Sequence, residues 1–295
     1  MSLERQLHLQ QNVADNCHEL HHVLSWSTAS PVTALRFLRE YPGHPIVSQY
    51  CLKALSHFRP DVILFYIPQL VQALRYDDRG YIQQYMLKAA ADSQLLAHQM
   101  IWNMATNMYS DEEGEVRDSV LANVLESMTA SIRANLHDGG LRFYEREFAF
   151  FEQITGISGR IRDKELGPAR KAACLEELAK VKLQPGCYLP SSPTGMITAI
   201  DYKSGTPMQS AAKAPFLAKF KVAQCSLDEI VRLGSSEDEV DLSKHKSKWQ
   251  ACIFKVGDDV RQDMLALQVR EKEEKEAKEK EDEEEEGRER ERERE

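Results

Sequence analysis

Apolar positions recur with a period near 3.6 through roughly the first 180 residues, the signature of amphipathic helices. Ile63, Ile67, Leu70 and Leu74 fall on one face of a helix opened by Pro60. Ile82, Tyr85, Met86, Ala89 and Ala90 repeat the pattern, and Val120, Val124, Leu125, Met128, Ile132 and Leu136 carry it across four turns. Turn-forming residues separate these segments at Ser30-Pro31, Pro42-Gly43-His44-Pro45, Arg59-Pro60, Asp77-Asp78-Arg79-Gly80, Asp111–Gly114 and Gly139-Gly140. Short links between helices favour antiparallel packing, and a run of such hairpins predicts a solenoid-like stack without a residue-level repeat. Pro68 stands inside the helix that carries Ile63 and Leu74, where it is expected to produce a kink.

The pattern changes at Gln184. Pro185-Gly186 closes the helical part, and the apolar segments shorten to Met196–Tyr202, Phe216–Val222 and Trp249–Val256, which read as strands. Between them lie Pro190-Ser191-Ser192-Pro193, the turn Lys203-Ser204-Gly205-Thr206-Pro207, and a polar stretch from Gly234 to Lys248 that reads as an exposed loop. Asp258–Val269 returns to helix, with Met264, Leu265 and Leu267 apolar. The expected fold class is α+β: helices over residues 1–184, then a small antiparallel sheet with one helix over 185–269.

Composition sharpens the third part. Residues 270–295 hold 9 basic and 15 acidic side chains and no apolar residue except Ala277, so they have nothing to bury. Pairs such as Glu271/Lys275 and Glu274/Lys278 fit a solvated helix, while the block Glu281–Glu286 favours fraying or disorder. The whole chain carries a net charge of −9, and the body without this tail carries only −3. That near-neutrality excludes a strongly basic nucleic-acid binder. The longest apolar run, Val62–Ile67, is far short of the ~20 residues of a membrane helix, and no secretory leader is expected. Six cysteines without a CxxC pair read as reduced thiols of a cytoplasmic protein.

Two stretches offer chemistry. His18-Glu19-Leu20-His21-His22 matches H-E-x-x-H, which on an α-helix places two imidazoles on one zinc ion with the glutamate as base. The plainer reading is a polar helix face, since Ser25 and Thr28 stand where a longer zinc-hydrolase motif has glycine and histidine. The second stretch is Trp249–Asp263, where Lys255 ends an apolar strand and an acid-bearing helix follows. A lysine so placed suits nucleotide phosphates with a helix carboxylate to orient it. It equally suits an exposed edge strand followed by a solvated helix, with Asp258 and Asp259 as caps.

The residues themselves carry a resemblance. Ile253–Gln268, reading IFKVGDDVRQDMLALQ, resembles the kinase N-lobe signature of the phosphatidylinositol 3-/4-kinase family. Pro60–Asp77, Ser93–Gln99 and Asp201–Pro215 extend the match, toward the type III alpha class of phosphatidylinositol 4-kinases, over about residues 15–269. The resemblance implies a helical accessory domain over 1–184, a partial kinase N-lobe over 185–269 and a charged tail over 270–295. It implies a phosphate-covering loop at Gly205–Pro215, with Ser210, Lys213 and Lys255 as ATP-phosphate contacts. Asp263 is the implied lysine-organising acid, and Asp258, Asp259, Arg261 and Gln262 take architectural roles. The family's cofactors are ATP and Mg²⁺, and its substrate is phosphatidylinositol at a cytosolic membrane face, including the plasma membrane. Its partners include scaffold proteins.

The same resemblance sets a limit. The family's catalytic loop and metal-binding Asp-Phe-Gly-like segment do not follow Val269, and neither Asp-Arg-His nor Asp-Phe-Gly occurs anywhere in the chain. The expectation is therefore a truncated kinase-like protein without activity of its own. The competing expectations are an active lipid kinase by descent, a non-catalytic interaction module, the product of a truncated gene copy, and, most remotely, a zinc hydrolase.

Overall fold

A computed structural model describes residues 18–111, 115–209, 213–236 and 241–257, together with 262, 266, 267 and 270. The helices are α1 (Pro31–Glu40), α2 (Pro45–Leu55), α3 (Pro60–Leu64), α4 (Ile67–Ala73), α5 (Tyr81–Asp92), α6 (Gln94–Thr106), α7 (Ala122–Ala134), α8 (Asp138–Ile161), α9 (Pro168–Lys180) and α10 (Leu227–Ser235). The strands are β1 (Tyr188–Leu189), β2 (Ser192–Pro207), β3 (Phe216–Gln224) and β4 (Ser247–Phe254). The fold is mixed α+β, with a helical region preceding a four-stranded antiparallel sheet in sequential order.

Most helix starts follow local chemistry. Ser30 accepts a hydrogen bond from Thr33 N through Oγ (3.2 Å) and Pro31 fills the first turn of α1. His44 accepts from Val47 N through Nδ1 (3.4 Å) ahead of Pro45, and Pro60 opens α3. Gly80 adopts φ +72°, the left-handed conformation that lets the chain enter α5. Asp118 does the work of a cap before α7: its carboxylate accepts from Leu121 N (2.8 Å) and from both terminal nitrogens of Arg75. Those bonds hold its pKa down to about 2.

Three local expectations are corrected. Pro68 does not kink one helix. The chain breaks at Phe65–Tyr66, and Pro68 sits in the first turn of the new helix α4, where its missing N–H leaves no helical bond unmade. Gly139-Gly140 is not a break but the first turn of α8, capped by His137, whose Nδ1 accepts from Gly140 N (3.1 Å). Both glycines make room for neighbours: a Cβ at Gly140 would lie 2.5 Å from Gln94 Oε1, and one at Gly139 would lie 2.9 Å from Ser235 O. Lys203–Pro207 is not a turn but the end of β2, irregular in its pairing with β3 between Asp201 and Thr206.

Helix α6 is the centre of the helical region, with nine buried residues and contacts to α3, α4, α5 and α7. The first core gathers α1–α7 around residues such as Phe37, Leu55, Leu70, Met86, Met100 and Leu125. A second core forms under the sheet. There Phe150, Ile154, Ile157 and Ile161 of α8 and Cys174 and Leu178 of α9 meet Phe216, Ala218, Phe220 and Val222 of β3. β3 alternates from Phe216 to Val222, with Lys219 and Lys221 facing away from that core. Helix α8 has 24 residues, about 36 Å of rise. Its first half belongs to the helical core and the joint described below, and its second half supports the sheet. Among the described residues no helix is long and apolar enough to cross a membrane.

Candidate functional site

The site indicated by the sequence lies at one end of the sheet, where the β2–β3 connection meets the end of β4. β2 runs to Pro207, so the connection spans residues 208–215, shorter than the loop expected from Gly205. Gly205 itself is buried against α9, where a Cβ would lie 3.2 Å from Cys174 Sγ and 3.3 Å from Leu175 Cδ2. Met208 N donates to Pro215 O (2.7 Å) and closes the connection at its base. Phe216 pairs with Phe254 across β3 and β4, their rings stacked at 5.1 Å, which fixes the height at which β4 ends.

Lys255 is the first residue beyond β4 and is exposed, so it bears no burial cost. The turn after it contains Gly257 at φ +76°, and Lys213 donates from Nζ to Gly257 O. The structure thus brings Lys213 of the connection against the turn that follows Lys255. Gln262 is exposed and helical in backbone. Ser210, Asp258, Asp259, Arg261 and Asp263 lie outside the described residues, as does the tail except Arg270.

The H-E-x-x-H segment begins a 3₁₀ helix, His18–Ser25. The side chains of residues 18–21 lie outside the described residues, and with them the His18 half of the candidate zinc pair. Among the described residues the group able to hold a metal is elsewhere: Cys225, Glu229 and His245.

Behind the sheet, a buried polar joint ties it to the helices. Gln94 donates from Nε2 to Gly140 O (3.1 Å) and to His98 Nε2 (3.0 Å). The remaining imidazole proton on Nδ1 then donates to Tyr188 Oη (3.2 Å). Burial among Trp102, Phe143 and Tyr188 drives His98 down to about 3, so it is neutral. Glu147, fully buried on α8, accepts from Tyr188 N (3.0 Å) at the start of β1. Its other oxygen has no partner, and burial pushes its pKa up to about 8 against the pull of the Tyr188 amide, the Cys187 thiol and Arg146. Gln99 donates to Pro190 O (2.9 Å), Ser158 to Ala214 O (2.9 Å) and Tyr202 to Val181 O (3.0 Å). The sequence gives none of these residues a role in joining helices to sheet, because a polar side chain shows a distant partner only once the chain is folded.

Comparison with known proteins defines the class first. Residues 6–138 match the accessory domain (PIK domain) of the phosphoinositide 3-kinase family. The chain is 41% identical over 260 residues to phosphatidylinositol 4-kinase stt4 of Schizosaccharomyces pombe, which covers 84% of this chain and 14% of that protein. It is 41% identical over 257 residues to phosphatidylinositol 4-kinase STT4 of Saccharomyces cerevisiae, covering 85% of this chain and 13% of that one. A putative phosphatidylinositol 4-kinase alpha-like protein P2 of Homo sapiens is 43% identical over 170 residues, 53% of this chain and 29% of that protein. The chain is thus a homologue of the phosphatidylinositol 4-kinases of the alpha/Stt4 type over most of its own length, and it carries their PIK accessory domain. It spans about 14% of the length of the first of these relatives.

Proposed function

We propose that these 295 residues form a non-catalytic unit of a phosphatidylinositol 4-kinase-like protein: a helical accessory domain joined rigidly to an N-lobe sheet. The observation that carries this reading is the pairing of long kinase similarity with the absence of both Asp-Arg-His and Asp-Phe-Gly from the sequence. Phosphoryl transfer depends on positioning and on metal and side-chain charges around the γ-phosphate. The chain keeps candidates for one part of that arrangement, Lys255, Lys213 and Ser210, with Asp263 to orient Lys255 and Asp258, Asp259, Arg261 and Gln262 shaping the turn. Lys255 and Lys213 would act as cations against phosphate oxygens, and Ser210 as a hydroxyl donor. When bound, ATP and Mg²⁺ would supply the transferable phosphoryl group and the charge that balances it.

In this reading residues 1–184 are the accessory domain, 185–269 the N-lobe portion and 270–295 a solvated tail. The partners are scaffold proteins of the larger kinases and the cytosolic face of a phosphatidylinositol membrane, approached peripherally from the cytoplasm. The buried joint supports a unit that keeps its shape while the accessory helices engage a partner.

The nucleotide half of the proposal has a direct readout. Titration of Mg·ATP into the 295-residue chain, followed by calorimetry, is expected to give no saturable heat below about 1 mM, a binding free energy near −4 kcal/mol. A micromolar Kd that disappears in Lys255→Ala would overturn the expectation of weak binding and place a working nucleotide site on the sheet, while the non-catalytic reading itself is decided by product formation.

A further inference from the structure

Helix α10 lies between β3 and β4 and opens with a capping box: Ser226 Oγ accepts from Glu229 N (3.3 Å), and Glu229 Oε2 accepts from Ser226 N (2.8 Å). That box occupies one carboxylate oxygen. The other, Glu229 Oε1, lies 3.3 Å from His245 Nε2, on the segment that returns the chain to β4. The second ring nitrogen, His245 Nδ1, is buried and has no hydrogen-bond partner. Cys225, the residue before the cap, places its thiol in the same corner. One donor atom from each of the three residues lies within 4.8 Å of the others, and all three residues are half-buried.

We propose that Cys225, Glu229 and His245 form a site for a single zinc-class divalent cation, which clips the returning segment to the base of α10. The donor set is one sulfur, one nitrogen and one oxygen. This suits Zn²⁺ and its spectroscopic stand-in Co²⁺, and does not suit Ca²⁺ or Mg²⁺, which take oxygen ligands. Charge balances at the site: thiolate and carboxylate supply two negative charges against the 2+ ion, and imidazole binds neutral. Binding therefore releases the Cys225 thiol proton to solvent, with no change of oxidation state. Three protein donors leave a fourth tetrahedral position for water.

Position gives the site a structural role. Cys225 directly follows β3, Glu229 stands in the first turn of α10, and His245 precedes β4 by two residues. A metal bridging them closes a 20-residue excursion and holds β4 in register on β3. Only the folded chain brings the three donors together, so the free energy of metal binding adds to folding and bound metal is expected to stabilise the sheet's outer strand. The site owes nothing to the kinase reading and stands whether or not that reading holds.

Cobalt(II) and zinc titrations of the full 295-residue chain, purified in chelator and then exchanged into metal-free buffer, test the proposal. One equivalent of Co²⁺ is expected to produce a thiolate-to-cobalt charge-transfer band and tetrahedral visible bands, both displaced by Zn²⁺. Cys225→Ser should abolish the charge-transfer band. His245→Gln, which leaves the thiol in place and keeps the test open should the serine variant not fold, should weaken cobalt binding by about tenfold or more. Zinc should raise the melting temperature of the parent chain and not that of His245→Gln. The proposal is overturned if no charge-transfer band forms or if the band survives Cys225→Ser. It is overturned equally if the band is lost in Cys17→Ser, which would assign the metal to the Cys17–His22 end of the chain. Unchanged cobalt affinity in His245→Gln would also overturn it, leaving Glu229 and His245 as a metal-free ion pair.

Discussion

Phe143→Ala is expected to destabilise the protein by about 3–5 kcal/mol, the range for deleting a fully buried aromatic ring. Phe143 has no exposed surface and stands where three parts of the fold meet. Its ring centroid is 4.7 Å from that of His98 on α6 and 6.1 Å from that of Tyr188 on β1. Leu95, Met196 and Ile230 complete the cluster. Gly234 at the end of α10 lies against the ring so closely that a Cβ there would fall 2.5 Å from Phe143 Cζ. Removing the ring empties a space lined by α6, α8, β1 and α10, where α6 is also held in the first core and α8 and β1 in the second, so the space cannot close by moving one element. Urea unfolding should show the loss as a lowered midpoint with an unchanged slope. A loss below about 1 kcal/mol would mean that the helices and sheet are not joined through this residue.

The second large effect is a stability optimum in pH set by two buried groups of opposite kind. Glu147 keeps its proton in the fold up to about pH 8, whereas its ordinary value is 4.5. Between those values the folded state binds the extra proton, so stability falls as pH rises through that window. His98 is neutral in the fold down to about pH 3, whereas its ordinary value is 6.5. There the unfolded state binds the extra proton, so stability falls as pH drops from 6.5 toward 3. The two slopes oppose one another between about 4.5 and 6.5, and stability from this pair should peak there. Above pH 6.5 only Glu147 acts, and at about 1.4 kcal/mol per pH unit the loss by pH 8 is about 2 kcal/mol. Chemical denaturation across pH 4–8.5 measures it. Glu147→Gln, neutral at every pH, should flatten the alkaline branch, and an unchanged branch in that variant would assign the effect to another group.

Much of the backbone was legible because it rests on local chemistry. Ser30-Pro31, Pro45 and Pro60 start helices where their φ angles and missing donors favour it. The apolar stripe Ile82, Met86 and Ala90 turns inward on α5. Phe216–Val222 alternates as a strand buried on one face should. Helix α10 lies mostly ahead of the polar stretch Gly234–Lys248, in a segment given no element from the sequence, although Ser226-x-x-Glu229 ahead of Ile230 is a capping-box signal. β1 has only two residues, too few to show a period. Gly139 and Gly140 read as a break because glycine usually marks one. Here their value is close approach by Gln94 and Ser235, which only the folded chain reveals.

The candidate site was legible to a lesser degree, for a different reason. Lys255 announces itself at the end of an apolar strand, whereas Lys213 is implied only by the family resemblance. Their meeting through Gly257 depends on the pairing of Phe216 with Phe254, a contact between residues 38 apart in sequence. The joint of His98, Gln94, Glu147 and Tyr188 is longer in range still: the His98–Tyr188 bond spans 90 residues. No short-range pattern encodes such a pairing. The change of secondary structure near residue 184 is visible in composition, yet the hydrophobic core divides within α8, because one amphipathic helix can face two partners along its length.

The proposed function makes these 295 residues the accessory and N-lobe portions of a lipid kinase, with no transfer chemistry of their own. The most direct measurement is product formation. The purified 295-residue chain is incubated with Mg·ATP labelled in the γ-phosphate and vesicles containing phosphatidylinositol, and phosphatidylinositol 4-phosphate is quantified. The account predicts no labelled lipid above a protein-free control. Turnover approaching that of working kinases, about 1 s⁻¹ or more, would contradict it.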